Sequence, residues 1–121
     1  MTQKMVNEIS RAIIGAAIEV HRELGPGLLE SVYEKCMKYL LQQDGFRIIA
    51  QQKVPVIFRE LYLECDLRFD LMVEDCIIVE IKATDSILPI HEAQLLTYLK
   101  LLKKPKGVLI NFNCTNIFKE G

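Results

Sequence analysis

Ile77, Ile78 and Val79 are three consecutive bulky apolar residues, and the charged residues Glu80 and Lys82 follow them closely in the chain. A strand that is apolar on both faces is covered on both sides, as in sheets flanked by helices. Charged side chains in such a strand are costly unless they perform a function. This stretch therefore predicts a sheet layered with helices, and it predicts a functional site near residues 80–82.

Three segments have apolar residues at steps of three and four, the spacing of a helix that buries one face. These segments predict helices over Asn7–Leu24, Leu29–Gln43 and Pro89–Lys103. Between the first two lies Gly25-Pro26-Gly27, which ends the first helix because glycine accepts the left-handed C-cap and proline cannot continue a helix.

Other segments alternate with a period of two or are continuously apolar, which indicates strands. The predicted strands are Val54–Phe58, Leu61–Val73, Cys76–Lys82 and Gly107–Phe112, with a turn at Arg59-Glu60. The resulting order is ααβββαβ. It indicates an α/β or α+β domain in which a mixed sheet carries helices.

The charges are balanced, with 15 Lys+Arg against 16 Asp+Glu in 121 residues, half of which are hydrophobic. This composition excludes a disordered chain and argues against binding nucleic acid through bulk positive charge. We expect one domain over residues 1–121, no membrane span and, because no secretory signal is recognisable, a cytoplasmic location. The four cysteines are expected to be reduced and packed among apolar neighbours: Cys36, Cys65, Cys76 and Cys114.

The hairpin between the second and third predicted strands has a register that its apolar pattern decides. A slip of one residue would turn every side chain to the other face of the sheet. A three-residue loop, Glu74–Cys76, pairs apolar residues throughout, whereas a two-residue loop mixes polar with apolar partners. The three-residue loop predicts these pairs: Val73 with Ile77, Leu71 with Val79, and Phe69 with Ile81.

On the other face, this register pairs Asp70 with Glu80 and Arg68 with Lys82. Directly opposite residues have Cβ atoms roughly 4.5–5.5 Å apart, so two carboxylates there repel each other unless a positive group joins them. A proton, Lys82 or a divalent cation would serve, and two carboxylates with a backbone carbonyl suit Mg²⁺ or Mn²⁺. The alternatives are a salt bridge on a solvated face and Asp66 in place of Asp70 as the first carboxylate.

Asp70 together with Glu80-Ile81-Lys82 resembles the D…(D/E)-x-K signature of the PD-(D/E)xK nuclease superfamily. The segment Gly27-Leu-Leu-Glu30-Ser-Val-Tyr33 matches the motif that names the GxxExxY proteins, small members of that superfamily. Further similarity lies in residues 69–75, 78–83, 91–99 and 107–112. The Pro-Asp dipeptide of the signature is absent, since Phe69 precedes Asp70.

The resemblance implies a restriction-endonuclease-like core, a mixed β-sheet flanked by helices. It implies that a Mg²⁺ or Mn²⁺ cofactor is bound by Asp70, Glu80 and the backbone carbonyl of Ile81. It also implies that Lys82 positions or activates the attacking water. The remaining catalytic assignments that it implies are Glu30 as an additional helical acid, and Gln94 with Tyr98 as a pair holding the lysine or a phosphate.

Each helical residue also has a structural interpretation. Glu30 suits the positive N-terminus of its helix, Gln94 suits an exposed surface, and Tyr98, like Tyr33, suits a helix's core face. For His21 and His91 a helix-terminal hydrogen bond is expected rather than a catalytic role. The dense basic cluster of Lys103, Lys104 and Lys106 is expected to cap the C-terminal end of its helix.

The implied function is metal-dependent phosphodiester hydrolysis of DNA or RNA, with nucleic acid as the partner. The alternatives are a non-catalytic interaction module that retains the nuclease fold and a hydrolase for a smaller phosphate ester. Residues 54–58 are expected to offer an edge to a second chain, which suggests a homo-oligomer or a partner protein.

Overall fold

Sheets and helices alternate in layers in the computed structural model, which describes residues 2–63 and 66–115. The helices are α1 (Gln3–Leu24), α2 (Glu30–Gln43) and α3 (Pro89–Leu102). The strands are β1 (Ile48–Ala50), β2 (Val56–Phe58), β3 (Leu61–Leu63), β4 (Leu71–Val73), β5 (Ile77–Lys82) and β6 (Lys106–Asn111). Within this part of the chain no helix is long and apolar enough to cross a membrane.

The main sheet has the strand order β1-β4-β5-β6. Its β1–β4 and β4–β5 pairs are antiparallel, and its β5–β6 pair is parallel. A separate antiparallel pair joins β2 to β3. The structure thus confirms the predicted mixed sheet with helices.

Strand β5 is covered on both faces, as its apolar run predicts. Ile77, Val79 and Ile81 belong to the core cluster that includes α1 and α2, whereas Ile78 belongs to a second cluster that includes Leu95 of α3. Charged groups that β5 carries are therefore placed between two layers of helix.

The helices differ from their predicted bounds mainly at the start of α1. It begins at Gln3, four residues earlier than predicted, because Thr2 caps it: the Thr2 Oγ1 accepts a hydrogen bond from the N–H of Met5 (3.2 Å). At the end of α3, Lys103 takes the left-handed conformation with φ 56°. The side chain of Lys104, which was expected to cap the C-terminal end of this helix, pairs with Asp75, at 2.8 Å between Nζ and Oδ1.

The strand predictions need three corrections. Strand β1 was not predicted; it has only three residues and forms by pairing with the edge of β4. The single strand predicted over Leu61–Val73 is wrong, because the chain bends at Asp70 and divides it into β3 and β4; Glu64 and Cys65 lie outside the described residues. The strand predicted over Val54–Phe58 begins at Val56, after Pro55.

The pair β2–β3 is an exposed ribbon with the predicted turn at Arg59-Glu60. Ile57, Phe58 and Tyr62 are each about 60% exposed (60%, 61% and 59%). The alternation of apolar residues correctly predicted strands here, although these strands do not contribute to either core cluster. Pairing of this edge with a second chain stays a prediction.

The two histidines behave differently. His91 Nδ1 accepts the N–H of Leu88 at 3.0 Å and caps α3, which confirms the helix-terminal hydrogen bond. For His21 the prediction is wrong, since its Nε2 lies 2.7 Å from the carbonyl oxygen of Cys114, far along the chain. Cys36 and Cys76 are free thiols in or against the α1–α2 cluster, Cys114 packs against the same cluster, and Cys65 lies outside the described residues.

Tyr33 fixes the turn between α1 and α2. Its side chain is fully buried, and its hydroxyl donates to the Gly25 carbonyl (2.6 Å) and accepts the N–H of Leu28 (3.1 Å). Its ring stacks on Phe112 with centroids 4.3 Å apart. Gly27, with φ 102°, permits the turn between these contacts. Tyr33 is therefore a core residue that holds the start of α2 in place.

Replacing Tyr33 with Phe is expected to lower the free energy of unfolding by about 1–2 kcal/mol, since it leaves a partly buried N–H and carbonyl without their partner. Urea denaturation checks this value. The control is Tyr39→Phe, because Tyr39 is exposed and bonds only Gln43 in the described structure. Equal midpoints for the two variants would contradict the assignment.

Candidate active site

The hairpin β4–β5 has the predicted three-residue loop. Its register pairs Val73 with Ile77 and Leu71 with Val79. Within the loop, Glu74 and Asp75 have φ values of 54° and 52°, and the N–H of Cys76 donates to the Val73 carbonyl at 3.0 Å. The loop geometry on which the candidate site depends is therefore present.

The β4–β5 ladder ends at the pair of Leu71 with Val79, so it does not include the three further pairs that the register predicted, of which Asp70 with Glu80 is the first. Phe69 packs in the cluster with α3, whereas Ile81 packs in the cluster with α1 and α2, so the predicted Phe69–Ile81 pair is wrong. The predicted pair of Arg68 with Lys82 is also wrong, because Arg68 lies opposite Lys53. The bend at Asp70 causes both differences.

Asp70 and Glu80 do come together, through backbone groups. The N–H of Asp70 donates to Glu80 Oε2 (2.8 Å), and Asp70 Oδ2 accepts the N–H of Ile81 (2.7 Å). In a continued ladder the acceptor for Ile81 would be the carbonyl of Phe69. The Asp70 carboxylate replaces that carbonyl, which lets the chain bend while the buried N–H keeps a partner.

Burial opposes ionisation of both acids, and neighbouring negative charges add to this effect. Glu80 is only 4% exposed, and its burial, followed by the negative charge of Asp70, raises its pKa to about 7. Burial is also the largest cause that raises the pKa of Asp70. The Glu30 charge adds to both shifts, and the Lys82 charge opposes both. The acids thus form an electrostatically coupled group that a positive charge would stabilise.

Lys82 and the Ile81 carbonyl border the same acids. Lys82 is half-buried at the end of β5, and its charge acts on Asp70 and Glu80. A strand residue directs its N–H and its C=O toward the same neighbouring strand. Because the N–H of Ile81 reaches Asp70, its carbonyl faces that side too.

Glu30 connects the start of α2 to the end of β5. Its side chain is exposed, and its Oε2 accepts the N–H of Ala83 at 3.0 Å. The glutamate thus uses its position at the helix N-terminus to reach the sheet. It lies close enough to Asp70 and Glu80 for its charge to act on their pKa values.

The α3 residues are less closely tied to the acids. Tyr98 is buried, at 2% exposure, in the cluster that includes Leu95, which agrees with its core interpretation. Gln94 is half-buried, and no hydrogen bond joins it to Asp70 or Glu80 within the described residues. The catalytic roles of Gln94 and Tyr98 stay predictions. Asp66, the rival carboxylate, is exposed.

Two residues of this group were missed by the sequence analysis. Gln51 donates through Nε2 to Glu34 Oε1 (2.5 Å) and to Asp70 Oδ1 (3.1 Å). Burial and the Asp70 charge raise the pKa of Glu34, against the opposing Gln51 bond. Glu34 follows Glu30 by four residues, so helical spacing places it on the same face. Nothing in the sequence pattern distinguishes Gln51 from Gln52.

Gln51 adopts a backbone conformation that is unusual for its type. Its φ of 54° lies in the left-handed region, which a Cβ atom disfavours. The conformation interrupts the strand after Ala50, and the N–H of Gln51 donates to the carbonyl of Asp70 at 2.9 Å. Backbone and side chain of Gln51 thus both hold Asp70.

The donor set suits a hard cation in chemical type but forms no complete cage. Glu30, Asp70 and Glu80 each use one carboxylate oxygen to accept a backbone N–H. Within residues 2–63 and 66–115, no group of three or more His, Cys, Asp and Glu side chains is arranged to hold a metal ion. The residues present therefore offer a cation two neighbouring carboxylates and one backbone carbonyl.

Comparison with known proteins agrees with this arrangement. A family model described as PD-(D/E)XK nuclease superfamily matches residues 7–120. The chain therefore belongs to this superfamily, and its mixed sheet and three helices are consistent with the restriction-endonuclease-like fold. Members typically use divalent metal ions. No curated protein and no solved structure matches the chain.

The raised pKa of Glu80 predicts how stability depends on pH. In metal-free protein the folded state binds this proton more tightly than the unfolded chain, whose value is near 4.5. The stabilisation is complete below that value and is lost as pH rises through about 7. The loss is on the order of 3 kcal/mol at most, at about 1.4 kcal/mol per pKa unit.

Urea denaturation in a chelating buffer from pH 5 to pH 8 measures this dependence. Glu80→Gln keeps an oxygen acceptor for the N–H of Asp70 and removes the titrating carboxyl group. The stability of this variant should therefore fall less over this pH range than that of the wild type. Glu8→Gln, at an exposed position of α1, is the matched control. Parallel curves for wild type and Glu80→Gln would show that the Glu80 proton does not contribute.

Proposed function

We propose that this protein is a divalent-cation-dependent nuclease of the GxxExxY group, which hydrolyses phosphodiester bonds in DNA or RNA. The observation that carries the proposal is the pair of hydrogen bonds at the end of the β4–β5 ladder, from the Asp70 N–H to the Glu80 carboxylate and from the Ile81 N–H to the Asp70 carboxylate, with the Lys82 charge acting on both acids. A buried acid next to a half-buried one is retained at some cost in stability, because burial and the neighbouring negative charge disfavour its ionised form, and a bound cation removes that cost.

In this proposal Asp70, Glu80 and the Ile81 carbonyl hold Mg²⁺ or Mn²⁺. When bound, the cation would lower the pKa of a bound water and would act as a Lewis acid toward the phosphate oxygens. Lys82 stabilises charge that develops on the phosphate. Glu30, whose Oε2 accepts the N–H of Ala83, would add a further carboxylate to the site. Gln94 and Tyr98 orient the lysine or the phosphate.

Gln51 has a supporting role in this proposal: it orients the Asp70 carboxylate. Asp70 Oδ2 is directed by Ile81 and Oδ1 by Gln51. Groups that orient a metal ligand typically contribute about 10–100-fold to metal affinity. The bond from Gln51 to Glu34 extends the support to α2.

A second candidate, the non-catalytic module, is favoured by one observation. Each acid already accepts a backbone N–H, and no three-residue metal group is arranged in the described part of the chain. In that case the acids serve only to end the ladder and to attach α2.

Metal binding and cleavage separate these functions. We expect calorimetry to detect Mn²⁺ binding that Glu80→Ala removes, and we expect cleavage of at least one substrate in a panel of single- and double-stranded DNA and RNA. Lys82→Ala should lower cleavage about 100-fold, as loss of one charge-stabilising group does. It should bind Mn²⁺ at least as tightly as wild type, because it removes a neighbouring positive charge. Lys100→Ala, exposed on α3, is the control.

The outcomes are distinct. Absence of Glu80-dependent Mn²⁺ binding would support the non-catalytic module and contradict the nuclease. Binding without cleavage of any nucleic acid would instead support a hydrolase for a smaller phosphate ester.

The role of Gln51 is tested by comparing neighbours of the same type. Gln51→Ala should weaken Mn²⁺ binding at least 10-fold, whereas Gln52→Ala should leave it within about two-fold. Gln51→Gly should bind Mn²⁺ as weakly as Gln51→Ala does. It should nevertheless unfold at a higher urea concentration than Gln51→Ala, because glycine tolerates the left-handed backbone. Wild-type affinity in Gln51→Gly would contradict the role.

A further inference from the structure

Two basic side chains, Lys53 and Arg68, lie directly opposite each other where the chain continues β1 and β4 beyond the acids. The backbone hydrogen bonds around them are made by flanking residues: Val54 N–H to the Leu67 carbonyl (2.8 Å) and Phe69 N–H to the Gln52 carbonyl (3.3 Å). This pattern defines a non-hydrogen-bonded pair, in which Cα atoms approach to about 4.5 Å and side chains come closest. Two cations therefore share the closest cross-strand position.

No acid neutralises this pair in the described structure. The ion pairs there join Arg47 to Glu74 and Lys104 to Asp75, and neither includes Lys53 or Arg68. Asp66, two residues from Arg68, is exposed and makes no ion pair with it. Like charges directly opposite each other destabilise a sheet. An anion between the two side chains would relieve this repulsion.

The basic pair is close to Asp70 along the chain. Arg68 precedes Asp70 by two residues, and Lys53 follows Gln51 by two, so the Cα atoms within each of these two pairs are at most about 7 Å apart. Val54 and Phe69 are buried in the cluster with α3. Because side chains alternate along a strand, Lys53 and Arg68 project from the other face, on which α2 packs.

We propose that Lys53 and Arg68 bind a backbone phosphate of a nucleic-acid strand, one step along from the phosphodiester at Asp70 and Glu80. This inference rests on the proposed nuclease function. A guanidinium forms two parallel hydrogen bonds to a phosphate, and an ammonium adds a point charge. A chain with a net charge of −1 lacks bulk attraction for a polyanion. A local basic pair beside the acids supplies that attraction where the strand must lie.

Lys53→Glu tests the pair without weakening the fold. It turns a repulsive cross-strand pair into an attractive one, so its urea midpoint should equal or exceed that of wild type. Its affinity for a labelled single-stranded DNA, measured by fluorescence anisotropy in chelating buffer, should fall at least 10-fold. The slope of log affinity against log salt should become shallower by about 1. Lys4→Glu, exposed on α1, makes the same change in net charge and should stay within about two-fold of wild type.

Equal affinities for Lys53→Glu and Lys4→Glu would overturn the inference, as would failure of wild type to bind the oligonucleotide at low salt. Displacement of the DNA by millimolar inorganic phosphate at constant ionic strength would overturn the assignment to a strand, because it would indicate a small-anion site. If the protein cleaves DNA but its DNA affinity does not change in Lys53→Glu, the proposed nuclease function is retained and phosphate binding by Lys53 and Arg68 is excluded. Pair-dependent binding without metal-dependent cleavage would support the pair and contradict the nuclease.

Discussion

The hydrogen bond from the Ile81 N–H to the Asp70 carboxylate is the interaction on which the rest of the site depends. It supplies the acceptor that the backbone of β4 would otherwise provide, so the ladder ends at Leu71 and the chain bends. The bend turns the Asp70 N–H toward Glu80. Two acids are thereby held together between layers of helix, where burial disfavours their charges.

The position of α2 follows from a separate constraint, the buried hydroxyl of Tyr33. By bonding Gly25 and Leu28, it sets the turn from which α2 starts. Glu30 then reaches Ala83, and Glu34 reaches Gln51. The spacing of Gly27, Glu30 and Tyr33 thus has a mechanical explanation: a glycine for the turn, a tyrosine that anchors it, and a glutamate that joins the helix to the sheet.

Charge is distributed very unevenly around the site although the whole chain is nearly neutral. The coupled acids Asp70 and Glu80 lie where the β4–β5 ladder ends, and the basic pair of Arg68 with Lys53, two residues before Asp70, has no acidic partner among the described residues. Such a local contrast is what a metal-dependent enzyme acting on phosphodiesters requires, since the cation and the polyanion need opposite charges on the protein. Net charge alone conceals it.

The helices, the strand covered on both faces and the hairpin register were determined by the sequence itself, because periodicity and apolar matching are local properties. That register also predicted that Asp70 and Glu80 lie near each other, although the observed contact is made by the bend at Asp70 and not by a ladder pair. Strand β1, the bend at Asp70, the pairing of Arg68 with Lys53 and the part of Gln51 were decided only in the tertiary structure. Each depends on which distant group accepts or donates a particular hydrogen bond, and the pattern of residues along the chain does not determine that partner.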